Sequence, residues 1–507
     1  MLKSFALPGY LLVAMVAALS LGCGPSTPAM SSDWPTSTPE EQGIDSEALA
    51  DLVERIDLEN LPVDSLLMAR NGSLVLDAYF YPYLGDRSHD VASVTKSITS
   101  TLVGIAVDEG LLEIDQLIVS LFPDIDASKH EIELRHLLSM TSGLACGYAP
   151  GEQELFEMIG SENFVEYALD LPVAVAPGMT FAYCSPGSHL LSAMVAQVTG
   201  MSTLEFARER LFGPLGIVES IWPTDPQGVP RGWGDLQLHP RDMAKIGQLF
   251  LDGGEWNSTQ IVSAEWVAQA TRTVVAGGVD GTGYGYQWWI LPGAFDGIYE
   301  ARGRGGQAIS VWPENELVVV FTGRGVDVRG DITPLLFAAL KSAGAIEPNP
   351  DGNARLDAAI AQALKPPAAR LIPELPTTAD LMSSKLYRLD DNPFDTRCVL
   401  LRFDSASDVA FELTTTSGTF EMRVGMDGVP RFSDDSPTGI PVGLVGEWTS
   451  PNVFLLLYDE VAGPNHLRIE VSVGEGADSI DLEFRDPGGY FPTTTVQGTV
   501  VLSCDPA

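Results

Sequence analysis

The chain has 507 residues, 45 % of them hydrophobic, an ordinary proportion for a folded globular protein. That is too long for a single core, so two or three domains are expected. With 68 acidic against 29 basic residues the net charge is −39, which argues against binding nucleic acid or an anionic membrane surface.

The N-terminus reads as a targeting segment. Lys3 gives a minimal positive start, an apolar run follows from Phe5 to Leu21, and the run ends at Gly22-Cys23. It is short for a membrane span and suits a signal peptide over residues 1–22. Ser20-Leu21-Gly22-Cys23 resembles a bacterial lipoprotein signal, which implies that Cys23 becomes the lipidated first residue. The usual leucine three places before the cysteine is here Ser20, with Leu19 one place earlier; an ordinary secretory signal is the alternative. Residues 23–32 then form a flexible tether. The expected location is the bacterial cell envelope, exported, with membrane contact through the Cys23 anchor alone. In an exported chain the remaining cysteines form an even set, and the simplest pairing is Cys146–Cys184 and Cys398–Cys504. Internal repeats and histidines paired at metal-ligand spacing are absent from the sequence, so no metal or cofactor is expected.

Two apolar runs, 65–70 and 73–79, flank Asn71-Gly72, a strong hairpin signal. Next comes Ser93-Val94-Thr95-Lys96. A serine and a lysine three residues apart share one helix face. Ile98, Leu102, Ile105 and Ala106 continue at helical spacing until Gly110 supplies a stop. A serine hydroxyl needs a base to become a nucleophile, and a lysine can serve once burial lowers its pKa. A helix-rich region follows, with segments at 134–139, 164–169, 188–199 and 241–251. Strand signals return at 284–290, 308–312 and 317–321, and a last helix is expected near 332–341. Strands at both ends with helices between them predict an α+β domain over 33–343, its antiparallel sheet assembled from the two ends of the segment. The nucleophile helix would lie where sheet and helical insert meet.

From 344 to 376 the composition turns to Ala, Pro and charge, which reads as a linker with one short helical piece near 356–364. Beyond it, over 377–507, alternation dominates: Val409, Phe411, Leu413; Leu467, Ile469, Val471, Val473; Ile480, Leu482, Phe484. That is the pattern of an antiparallel all-β domain. It carries no cluster of acid, base and nucleophile, which predicts a domain dispensable for the chemistry.

Five segments together carry a family resemblance. They are Ser93-Val94-Thr95-Lys96-Ser97, His136-Leu137-Leu138-Ser139-Met140-Thr141-Ser142-Gly143-Leu144, Phe181-Ala182-Tyr183-Cys184-Ser185, Pro240-Arg241-Asp242-Met243-Ala244-Lys245-Ile246-Gly247 and Gly303-Arg304-Gly305-Gly306-Gln307. In order and spacing they resemble the serine β-lactamase and DD-peptidase superfamily, and within it the class C β-lactamase-like hydrolases that include 6-aminohexanoate-dimer hydrolase and related esterases. The resemblance implies Ser93 as acylated nucleophile, Lys96 as its activating partner, and Tyr183 as a phenol that exchanges protons with the serine and the leaving group. It also implies Ser185, Arg304, Gly306 and Gln307 at the substrate and oxyanion positions. The backbone N–H of Gln307 would complete the hole begun by that of Ser93, and Gly305 and Gly306 would let substrate approach closely. Two positions depart from the family pattern. Ser185 replaces the asparagine of Tyr-x-Asn, and Arg304-Gly305-Gly306 replaces Lys/His-Thr/Ser-Gly, which puts penicillin hydrolysis in doubt. Arg304 would anchor an anionic group; the alternative is a side chain turned outward to a surface carboxylate. His136 and His189 lie on apolar helical stretches and read as structural.

The function expected is a secreted serine hydrolase that cleaves an amide or ester bond of a small-molecule or peptide-like substrate through an acyl-enzyme on Ser93. The alternative is a non-hydrolytic penicillin-binding or sensor protein, or a binding module, of the same fold.

Overall fold

The computed structural model describes residues 34–147, 152–276, 281–407 and 409–504. The signal segment, Cys23 and the tether lie outside the described residues.

Helix α1 (Ser46–Leu58) leads into strand β1 (Val63–Arg70), which is buried along its whole length. A tight turn at Asn71-Gly72 returns the chain as β2 (Ser73–Tyr79). Helix α2 (Val94–Asp108) follows, and further on α3 (Ser185–Thr199) and α4 (Pro240–Leu251). Strands β3 (Tyr299–Arg302), β4 (Ala308–Trp312) and β5 (Leu317–Gly323) then form a meander. β5 pairs antiparallel with β1, so the sheet is assembled from both ends of the segment, as the sequence implies. The strand order is β2–β1–β5–β4–β3, extended by the two-residue strands Trp289–Ile290, Gly283–Tyr284 and Val275–Ala276. Helix α4 presses on β1, β4 and β5. At Gly247 a Cβ would stand 2.4 Å from Val318 Cγ1, so glycine permits the contact.

A further helix, α5 (Pro350–Ala363), occupies the stretch 344–376, where the sequence suggests a linker with one short helical piece near 356–364. Leu356, Ala359 and Ala363 join the same apolar core as α1, β1 and β5. Arg355 holds Glu47, Asp51 and Glu54 of α1. The small, charged composition that suggests a linker is that of a helix with one narrow apolar stripe.

Ten antiparallel strands make up the C-terminal β domain, from Leu386–Leu389 to Thr494–Val501. Residue Gly425, just past the edge strand Thr419–Val424, bridges to Val445 in Val442–Ser450 near the other edge, so the sheet curls almost to closure. Alternate residues such as Val399, Leu401, Phe411, Leu456, Ile469 and Leu482 fill its interior. Thr36 to Ala507 is one compact unit. Across the seam between the two sheets, the buried Arg324 meets Asp64 at 3.2 Å on one side and Asp459 at 3.3 Å on the other. The N–H of Asp90 donates to the carbonyl of Ala462 at 2.9 Å. No helix among the described residues is long and apolar enough to cross a membrane.

Candidate active site

Helix α2 is buried from Val94 to Ala106, although six of its first eight residues are polar. The hydroxyls are spent on carbonyls of neighbouring loops: Ser97 on Gln287 at 2.6 Å, Ser100 on Tyr286 at 2.8 Å, Thr99 on Gly232 at 3.0 Å. These bonds offset the cost of burying polar groups and fix the loops that bring Trp233 and Trp289 to the cleft.

Ser93 stands at the head of α2. The residue before it, Ala92, has φ +46°, a left-handed conformation costly for a side chain with a Cβ. The Asp90 carboxylate accepts the Ala92 N–H at 2.7 Å and holds this bend. Ser93 caps the helix without a side-chain capping bond, so its hydroxyl is not committed to the backbone.

Lys96 Nζ lies 3.0 Å from Ser93 Oγ and 3.0 Å from the carbonyl of Trp233. The lysine is 1 % exposed. Burial pushes its pKa down to about 8, against the opposing pull of Glu152 and Asp235. A lysine so placed can give up and regain a proton near neutral pH. Tyr183, two residues before α3, is buried, and its ring centre is 4.6 Å from Lys96 Nζ. The ring stacks on Trp289 at 5.9 Å. The structure thus brings together the three residues assigned to chemistry, which are separated by up to ninety positions in the chain.

Ser93 and Tyr183 open into a cleft of about 370 Å³, the size of a small-molecule site. Its lining includes Glu152, Phe156, Trp233, Trp289, Arg302 and Arg304. The Arg304 side chain faces the cleft, and among the described residues no carboxylate lies within ion-pair distance of it. It lies instead over the rings of Tyr490 and Phe491, at 4.9 Å and 5.3 Å. Asp90 also lines the cleft; burial first, then the charge of Asp235, pushes its carboxyl pKa well up.

Other expected site residues are placed differently. Ser185 is buried, and its hydroxyl donates to the Glu152 carboxylate; it does not line the cleft. Gly306 and Gln307 also stand behind the lining, which the turn reaches at Gly303 and Arg304. Gly305 and Gly306 adopt φ of +82° and +95°, and a Cβ on either would meet Gly323, Pro464 or Val326. They are glycines because the turn is left-handed and crowded. The Gln307 side chain locks the turn, donating to the carbonyls of Arg304 at 3.0 Å and Gly323 at 2.6 Å. His189 pairs with Asp225 at 3.0 Å, both side chains fully buried, and His136 Nδ1 accepts the Glu133 N–H at 3.1 Å; both are structural.

The sequence reading missed two parts of the site. Glu152 is buried and lines the cleft, yet no motif spacing connects it with Ser93. Pro464, Tyr490 and Phe491 come from the β domain, which strand alternation alone presents as remote from the chemistry. The available signal was the pair of aromatics following the turn Asp486-Pro487-Gly488-Gly489.

Both cysteine pairings are present, Cys146–Cys184 and Cys398–Cys504, with Cα atoms 5.2 Å and 6.0 Å apart. The first ends one residue after Tyr183. Peptide mapping without reduction should recover these two links; a Cys184–Cys398 link would break the assignment.

A serine at a helix head, a buried lysine beside it and a tyrosine against that lysine fit the serine hydrolases of the β-lactamase fold. The family model Beta-lactamase matches residues 49–333, and the chain belongs to that family. It is 26 % identical over 315 residues to 6-aminohexanoate-dimer hydrolase of Paenarthrobacter ureafaciens, covering 56 % of this chain and 78 % of the relative. It is 28 % identical over 246 residues to penicillin-binding protein 4 of Amycolatopsis lactamdurans, covering 41 % and 62 %. Among solved structures, a provisionally named 6-aminohexanoate-dimer hydrolase from Bacillus anthracis aligns with a TM-score of 0.50 at 19 % identity, over 65 % of this chain and 85 % of that one. That likeness is one of fold.

Proposed function

We propose that this protein is an exported serine hydrolase that cleaves an amide or ester bond through an acyl-enzyme on Ser93. The observation that carries the reading is the 3.0 Å approach of a fully buried lysine amine to the Ser93 hydroxyl. With Lys96 neutral, the Ser93 O–H points its proton at Nζ. The Ser93 oxygen attacks the carbonyl carbon while Nζ takes the proton. Negative charge on the former carbonyl oxygen is met by the N–H of Ser93 in the first turn of α2, with the turn 303–307 supplying the second donor. Collapse of the tetrahedral intermediate breaks the bond to the leaving amine or alcohol, which takes its proton from Tyr183. The proton on Nζ then passes to the Tyr183 phenolate, which resets both groups. Water attacks the acyl ester while Nζ takes its proton, and collapse releases the acid as Nζ hands that proton to the Ser93 oxygen. The two disulfides fit an exported chain, and Cys23 remains the proposed point of lipid attachment. The test is labelling with a fluorescent fluorophosphonate and a fluorescent penicillin, followed by an ester and amide panel. Labelling at Ser93 that turns over supports a hydrolase; a permanent adduct supports the stalled, sensor-type reading; no labelling sinks both.

Arg304 is proposed as the anion receptor of this cleft. Its guanidinium lies against the rings of Tyr490 and Phe491 and presents a planar fork of donors that suits a carboxylate. Substrates with a free carboxylate should be preferred to their methyl esters, and Arg304→Ala should reduce that preference by roughly ten- to a hundredfold, mainly through KM. The ratio of kcat/KM for an acid and its ester on both proteins decides it. An unchanged ratio would mean that Arg304 does not read substrate charge.

A further inference from the structure

We propose that the turn Asp486–Phe491 of the β domain is the specificity element of the active site. It forms an aromatic corner that holds Arg304 in position and restricts the cleft to short, carboxylate-bearing substrates with an apolar flank. The inference rests on the Arg304 reading above and names what positions that residue.

The corner is a built feature. Tyr490 and Phe491 stand edge to face, centroids 5.0 Å apart at 87°, and the Arg304 guanidinium lies against both rings. Each ring is tied at a second point. The Tyr490 hydroxyl reaches Glu152 Oε1 at 3.4 Å, and Phe491 packs on Phe156 at 6.0 Å, a residue 46 % exposed that also lines the cleft. The corner thus links Arg304 to the wall formed by Glu152 and Phe156.

The turn beneath it is held by one side chain. The Asp486 carboxylate accepts the N–H groups of Gly488, Tyr490 and Phe491 at 2.9, 2.9 and 3.0 Å. Its back rests on the first domain: a Cβ at Gly325 would come within 3.0 Å of Gly488 Cα. These side-chain-to-backbone bonds hold the turn before any substrate arrives, so the rings stand on a pre-organised loop. An arginine free in a cleft samples many rotamers, and a guanidinium confined between two ring faces presents its fork in one direction. The same rings and Phe156 add an apolar flank beside the cation. A substrate suited to both has a carboxylate and a short apolar segment, and a long polymer would run into the turn.

The test uses the full chain carrying Ser93→Ala, so that binding is read apart from chemistry. Calorimetry gives Kd for the monomethyl ester of adipic acid and for its dimethyl ester. Tyr490→Leu with Phe491→Leu keeps apolar volume and removes the ring faces. It should weaken monoester binding by roughly five- to thirtyfold and change diester binding much less. Tyr490→Phe retains the ring and should restore most of the monoester preference. Equal losses for both esters would reduce the corner to a plain wall and overturn the proposal, as would unchanged binding or no monoester binding at all to the Ser93→Ala protein. Should the double variant fail to fold, Phe491→Leu alone is read by the same comparison. Ser93 labelling of the unmodified protein tests the hydrolase reading independently of these outcomes.

Discussion

Ser93→Ala should eliminate fluorophosphonate labelling and reduce turnover by on the order of 10⁴- to 10⁶-fold while the protein melts at its usual temperature. The two halves of that expectation rest on different facts. Loss of chemistry follows from the nucleophile role proposed for the Ser93 hydroxyl, which accepts a hydrogen bond from Lys96 Nζ. Retention of stability follows because the Ser93 side chain makes no capping bond to α2, and the Lys96 amine, on losing the Ser93 oxygen, keeps the Trp233 carbonyl. Melting curves and active-site labelling on the same preparation separate the two. Undiminished hydrolysis by a folded Ser93→Ala protein would remove Ser93 from the mechanism.

Lys96→Met should cost about 10³-fold in kcat/KM, and it should flatten the pH profile. Burial holds the Lys96 pKa near 8, below its ordinary value, so the neutral, proton-accepting form grows as pH rises through that point. For a neutral ester the unmodified enzyme should gain roughly fifty- to a hundredfold in kcat/KM between about pH 6 and about pH 9, then level off. Methionine preserves the buried stem and cannot accept a proton, so the rising limb should vanish with it. Ser93→Ala combined with Lys96→Met should be no slower than Ser93→Ala alone, because the two groups act as one unit. A methionine variant that keeps the limb would assign the titration to another group of the cleft, Asp90 being the nearest alternative.

What the sequence made legible is what lies close along the chain. The Asn71-Gly72 hairpin, the helical face shared by Ser93 and Lys96, the β4–β5 pair and the period-two strands of the β domain all follow from spacings of two to four residues. Tyr183 is singled out only through a longer ordered set of motifs. The Trp233 carbonyl on Lys96 escaped, since any residue offers a carbonyl and only the loop's path decides which one arrives. Glu152, Tyr490 and Phe491 escaped for a related reason: each looks like an ordinary surface residue until folding closes the distance. Helix α5 was half read, its apolar stripe being too narrow to distinguish a docked helix from a spacer.

Arg324 carries a consequence for the history of such chains. It is buried between one carboxylate from each domain, Asp64 and Asp459, so a single cation is shared by two anionic groups in a place water does not reach. The β domain is therefore not an interchangeable attachment. A lineage that replaces Arg324 leaves two carboxylates at the seam without their shared cation, so positions 64, 324 and 459 are expected to change together.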